Sequence, residues 1–155
     1  MLSIGTPLPN FSLINEQSEV ITPGTWKGQW IVLYFYPKDN TPGCTTQACS
    51  FRDEYESIRA LGAQIYGVSA DSVKSHQKFI TDQHLPFPLL VDSNHAMADM
   101  FETWVEKSMY GKKYMGMERS TYIINPEGVI IGAYQKVKPE GHAQFIAAEL
   151  RKLQE

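Results

Sequence analysis

The run Trp30-Ile31-Val32-Leu33-Tyr34-Phe35-Tyr36 constrains this chain more than any other feature. It is apolar without alternation and rich in β-branched and aromatic residues, the pattern of a strand buried on both faces. Such a strand needs one layer above it and another below. A chain of 155 residues can supply both from a single domain spanning 1–155, since about two-thirds of the surface of a chain this long is buried on folding. The run stops at Pro37, which has no N–H to give to a ladder.

The flanking segments alternate around that strand. Short strands are expected at Asn10–Ile14 and Glu19–Ile21, around a polar turn. From about Thr45 to Leu61 the spacing turns helical: Ala48, Phe51, Tyr55, Ile58 and Leu61 recur at three- and four-residue steps, and Gly62 stops the run. Ala63–Ser69 reads as a strand. Asp71 to about Gln83 reads as a helix with Val73, Phe79 and Ile80 inward, and Leu89–Val91 as a short strand after Pro86 and Pro88. Asp92-Ser93-Asn94 offers an N-cap for a helix reaching about Trp104. Ser120–Ile124 and Val129–Tyr134 pair across the turn Asn125-Pro126-Glu127-Gly128. Pro139 opens a final helix with Phe145, Ile146, Leu150 and Leu153 on one side. Strands alternating with helices, then a hairpin and a closing helix, predict an α/β fold with a mixed sheet.

Charge and cysteine usage exclude several functions. A net charge of −3 with scattered Lys and Arg gives no basic footprint, so nucleic acid is not an expected partner. No apolar stretch is long enough to span a bilayer, and Met1 to Pro7 lacks the positive and apolar regions of a secretion signal. A cytoplasmic location is the expectation. Two cysteines cannot scaffold a chain this large; in a reducing compartment a close pair is catalytic or metal-binding rather than structural. The histidines, His76, His84, His95 and His142, make no zinc spacing with them, His76 and His84 falling two turns apart on one helix face. No glycine-rich phosphate loop is present, and no metal or other cofactor is expected.

The chemistry concentrates between Pro37 and Cys49, where the buried strand gives way to a helix. Cys44 falls at or near that helix's N-terminus, where unpaired backbone N–H groups favour an anion and so the thiolate. Thr41 lies three residues earlier, its hydroxyl able to donate to the sulfur or to a bound oxygen. Pro37 and Pro42 stiffen the loop, and Gly43 lets the backbone come close.

Pro37-x-x-x-Thr41-x-x-Cys44 resembles the active-site motif of the peroxiredoxins, and Thr41-Pro42-Gly43-Cys44-Thr45-x-Gln47-Ala48-Cys49 resembles their bacterioferritin-comigratory, or Q-type, subfamily. The likeness extends from Gly5-x-x-Leu8-Pro9-x-Phe11-x-Leu13 to Glu118-Arg119-Ser120-Thr121-Tyr122. It implies a thioredoxin-like fold, a mixed central sheet flanked by helices with an N-terminal β extension. It also implies a peroxidatic Cys44 with Arg119 beside it, a hydroperoxide substrate, thioredoxin or a similar dithiol as reductant, and a monomer. Some relatives place the resolving cysteine elsewhere; in this chain Cys49 is the one available. Many relatives carry Glu where this chain has Gln47, and Gln also occurs.

The residue types suit the reaction. A free thiol is about 3% ionised at pH 7, so complete ionisation gains only about thirty-fold. Stabilising the charge that develops on the leaving oxygen offers more, and Arg119, Thr41 and the N–H groups of the helix start are the candidates to do it. The product would be a sulfenic acid, which condenses with a second thiol. Residues five apart in an unbroken helix have Cα atoms about 8.6 Å apart. A disulfide needs less than about 7 Å, so the first turn must unwind before Cys44 and Cys49 can join.

Each signal also has a plainer interpretation. Alone, Cys49 reads as an inert core thiol, Arg119 as a solvated arginine, Thr41 as a helix cap and Pro37 as a strand terminator. The joint pattern is what raises them to site residues. Gln47, one turn after Cys44, could face the loop or solvent. Met97, Met100, Met109, Met115 and Met117, with Trp104, Tyr110 and Tyr114, read as adaptable packing, with a partner-docking surface as the alternative. Two other functions compete. A general disulfide oxidoreductase would carry C-x-x-C, whereas this chain has C-x-x-x-x-C. A redox-sensing or holdase protein would rest on the Met-rich segment alone.

Overall fold

A computed structural model describes residues 1–155. The strands are β1 (Leu13–Asn15), β2 (Val20–Ile21), β3 (Trp30–Phe35), β4 (Ala63–Ser69), β5 (Leu89–Val91), β6 (Trp104–Met109), β7 (Lys112–Met117), β8 (Ser120–Ile124) and β9 (Ile130–Tyr134). The helices are α1 (Pro42–Asp53), α2 (Tyr55–Ala60), α3 (Val73–Gln83), α4 (Ala96–Met100) and α5 (His142–Leu153), with a 3₁₀ turn at Pro23–Trp26. Seven strands form one sheet in the order β2-β1-β5-β4-β3-β8-β9. The central β3, β4 and β5 run parallel, while β8, β9 and β1 join antiparallel, so the sheet is mixed.

Strand β3 explains the sandwich. Side chains alternate along a strand, and here both sets are buried. Val32 and Tyr34, with Tyr36 beyond the strand's end, pack under α1, α2, α3 and α5 with Ala48, Phe51, Ile58, Phe79, Ile146 and Leu150. Ile31, Leu33 and Phe35 face the other way, onto Phe11, Trp26, Met97, Phe101 and Tyr122. Burying one side chain the size of Phe51 is worth about 2–3 kcal/mol.

Several boundaries differ from the sequence reading. The expected helix from Thr45 to Leu61 is two helices, because the chain turns at Glu54 (φ −94°, ψ 3°). The helix expected to reach Trp104 stops at Met100, and Trp104 instead opens the β6–β7 hairpin. The last helix starts at His142, after Gly141 in the left-handed region, and not at Pro139. Its inward residues are Ala143, Ile146, Ala147 and Leu150; Phe145 and Leu153 face solvent. On α3 the inward residues are His76 and Phe79, with Val73 and Ile80 half-buried. His84 is not on a helix face with His76: it is exposed and left-handed (φ 54°), and it closes α3. No helix is long and apolar enough to cross a membrane.

Candidate active site

Helix α1 begins directly beneath the end of β3. Thr41 is extended (φ −91°, ψ 154°), Pro42 is the first helical residue and Cys44 the third. Proline costs nothing there, since its missing N–H would have had no partner. The N–H groups of Gly43 and Cys44 have no carbonyl one turn back, which leaves the positive end of the helix dipole at the sulfur. Cys44 itself is 2% exposed and lies in the apolar layer with Tyr34, Tyr36 and Ala48.

Arg119 reaches this point from the residue before β8. Its Nη2 lies 3.5 Å from Cys44 Sγ, and its Nη1 donates a 2.7 Å hydrogen bond to Gln47 Oε1. Gln47 is fully buried, and its Nε2 has no hydrogen-bond partner. No carboxylate pairs with Arg119. Its positive charge is therefore met by a neutral amide on one side and by the cysteine sulfur on the other. Gly43 makes room for it: a Cβ there would stand 3.3 Å from Nη2.

The remaining sequence candidates are placed differently. The Thr41 hydroxyl does not donate towards the sulfur; its hydrogen is spent on the Lys38 carbonyl at 2.8 Å, leaving only lone pairs free. Nor does that side chain cap the helix. Pro37 is exposed on the loop surface. Cys49 is half-buried two turns along α1, its thiol 3.5 Å from Gln83 Oε1 at the end of α3, so the helix separates it from Cys44. Both cysteines are free thiols. Arg52, one turn beyond Cys49, donates to the Gln83 carbonyl at 2.8 Å.

Residues 4–133 match the AhpC/TSA family. Peroxiredoxin Bcp of Bacillus subtilis is 46% identical over 154 residues, covering 99% of this chain and 98% of its own. The bacterioferritin comigratory protein of Xanthomonas campestris, whose structures were studied for alkyl peroxide reduction, superimposes with a TM-score of 0.92 at 39% identity, covering 99% of this chain and 100% of its own. The PrxQ of Xylella fastidiosa gives 0.94 at 38%, over 100% and 99%. The chain belongs to the AhpC/TSA family, in its Bcp or Q-type peroxiredoxin branch. It is a peroxidase on the thioredoxin-like fold, and its reaction takes a peroxide and a reductant.

In this peroxiredoxin further groups gather around Arg119 and Cys44. Gln47, which the sequence leaves free to face the loop or solvent, is turned inward to Arg119, three residues after Cys44 on the same helical face. Lys107 comes from β6, in a hairpin that the sequence pattern does not mark. Burial first, then Arg119, push its ammonium's pKa down, with Glu118 and Cys44 opposing. His142 Nε2 is 2.7 Å from the Thr121 hydroxyl, its ring set edge-on to Phe51. Burial, helped by the Arg119 charge, holds its pKa down at about 4, so it is neutral at physiological pH. Burial raises the phenols of Tyr34 and Tyr36 well above their usual range, and both stay protonated.

A second cluster lies behind the loop. Ligand-type atoms of Asp39, Asp71 and His76 sit within 4.8 Å of one another. They are spent on hydrogen bonds: His76 Nδ1 to Asp39 Oδ2 at 2.7 Å, and the Asp39 N–H to Asp71 Oδ2 at 2.9 Å. That pattern is a hydrogen-bonded network, not an open set of metal donors. The largest surface cavity lies elsewhere, between Pro7, Leu8, Pro23 and Pro126, and it contains no thiol, histidine or arginine.

Proposed function

We propose that the chain is a cysteine-only hydroperoxide reductase, acting on hydrogen peroxide and organic hydroperoxides. Its attacking group is Cys44. The observation that carries this reading is Arg119, a guanidinium without a carboxylate partner, 3.5 Å from the one sulfur at a helix N-terminus. The Cys44 thiolate attacks the nearer peroxide oxygen, the O–O bond breaks, and the leaving alkoxide or hydroxide takes a proton. Cys44 becomes a sulfenic acid. Arg119 and the N–H groups of the first turn stabilise the charge growing on oxygen. Thr41, its hydrogen already committed to Lys38, offers a lone pair to the peroxide O–H and so orients it.

Cys49 then attacks the sulfenic sulfur, water leaves, and a Cys44–Cys49 disulfide remains. Both residues lie within α1, so the step requires the helix between them to open. Opening also brings the disulfide to the surface, where thioredoxin or a similar dithiol reduces it. Every group in this scheme comes from one chain, so a monomer suffices, and two free thiols suit a reducing compartment such as the cytoplasm.

The test is stopped-flow mixing of reduced protein with one equivalent of hydrogen peroxide, beside Cys44→Ser and Cys49→Ser, with intact masses at the end. Fast peroxide loss is expected in the parent and Cys49→Ser, none above background in Cys44→Ser, and a mass two hydrogens lower in the parent alone. Equal rates in Cys44→Ser and the parent would overturn the reading.

A further inference from the structure

His76 is fully buried, and both its ring nitrogens face oxygen. Nε2 lies 2.8 Å from the Leu90 carbonyl, which can only accept, so Nε2 carries a hydrogen. Nδ1 lies 2.7 Å from Asp39 Oδ2. The same carboxylate receives the Tyr36 hydroxyl at 2.6 Å and the Ser75 hydroxyl at 2.8 Å. The Asp39 carboxyl is thus held from three sides, by two hydroxyl donors and the His76 ring, and the ring is itself fixed by Leu90. The other charged group facing the pair is Asp71, which accepts from the Asp39 N–H and from Ser69.

The position of the pair gives it a use. Between Tyr36 and Cys44 the loop is exposed or half-exposed at every residue except Asp39. Asp39 is thus the loop's one inward anchor. Lys38, which precedes it, supplies the carbonyl that holds the Thr41 hydroxyl, and Asn40, which follows it, turns through the left-handed region (φ 59°). Nothing in the proposed chemistry touches His76.

We propose that His76 is a positioning residue for the peroxide step: through Asp39 it sets where Thr41 and the first turn of α1 stand around Cys44. The inference rests on Cys44 being the attacking thiol. It makes the loop ahead of Cys44 a fixed wall, so that the opening needed for the disulfide runs forward along α1 and not back towards Pro37.

Two measurements test it. In ¹H–¹⁵N NMR of the reduced protein, the backbone amides of Asn40, Thr41 and Cys44 are expected to shift in His76→Leu and to stay at their parental positions in Lys78→Ala, a control on the exposed face of α3. Unshifted loop amides in His76→Leu would overturn the link from His76 to the loop, whatever Cys44 does. Because one partner alone would be left buried and unpaired, activity is read in the double variant Asp39→Ala/His76→Leu, where both are removed. The rate of Cys44 oxidation is expected to fall by about ten-fold, with disulfide formation from the sulfenic acid unchanged or faster. A folded double variant that oxidises at the parental rate would remove the positioning role. A parent that fails to consume peroxide would instead sink the peroxidase reading and leave the NMR result standing.

Discussion

Arg119 and Gln47 are joined by a 2.7 Å hydrogen bond that leaves the other guanidinium nitrogen facing Cys44 Sγ. Because Gln47 is neutral, the full arginine charge is available to the sulfur and to the oxygen it attacks. Gln47→Glu would supply a carboxylate at the same place and neutralise part of that charge. The rate of Cys44 oxidation should then fall by about three- to ten-fold at pH 7, or roughly 1 kcal/mol in the barrier. Gln47→Leu keeps the charge but loses the orienting bond, and should slow the same step without changing disulfide formation. Single-turnover kinetics with hydrogen peroxide separate the two effects.

Arg119→Ala removes the guanidinium altogether. Loss of one preorganised donor at a developing oxyanion costs on the order of a hundred-fold. The peroxide step should drop by about that factor. The disulfide should still form with a small-molecule oxidant of thiols, which distinguishes catalysis of O–O cleavage from simple dithiol exchange.

The far end of α1 is tied to α3 by the Arg52–Gln83 hydrogen bond and by the Cys49 thiol against the Gln83 side chain. A hydrogen bond from a charged donor contributes about 1.5–3 kcal/mol. Arg52→Ala should therefore ease the opening of α1 and speed disulfide formation by up to about ten-fold, with the first step unchanged. Rapid quench and mass analysis of the sulfenic acid's lifetime would show it. A longer lifetime in the variant would mean that Arg52 helps the second step and does not restrain it.

His142 gives the fold an acid limit. Its pKa is about 4 in the folded protein and about 6.5 when free. The unfolded chain thus takes up the proton first as pH falls, so the contribution is intact above about 6.5 and is lost progressively down to about 4. The full loss is on the order of a few kcal/mol. His142→Gln should flatten the denaturation midpoint between pH 6.5 and 4, and a midpoint that falls as steeply as the parent's would rule His142 out as the cause.

The parallel centre of the sheet was legible because burial on both faces leaves an unbroken apolar run, as in β3. The hairpin β6–β7 was not. It is a two-stranded arm with Met109, Tyr110, Tyr114 and Met115 exposed, so no face is reserved for the core and no alternation marks it. The break at Glu54 was hidden for a different reason: inward spacing continues across it, from Phe51 to Ile58. In the site, Cys44 and Arg119 were readable as motif residues. The Thr41 hydroxyl was misjudged because its acceptor, the Lys38 carbonyl, belongs to the backbone and leaves no trace in residue type. His76 and Asp39 lie far apart in sequence and form no spacing motif.

Helix α3 holds the reactive segment at both ends: Ser75 and His76 meet Asp39 ahead of Cys44, and Gln83 meets Arg52 beyond Cys49. In the proposed cycle everything that moves lies between two moorings on one stiff rod. Oxidation then has no lever by which to displace the sheet, and the record of whether the enzyme has met peroxide stays local. Such a catalyst is insulated from its own chemistry. It can turn over repeatedly without loosening its core, and a partner can learn its redox state only by touching the surface of α1.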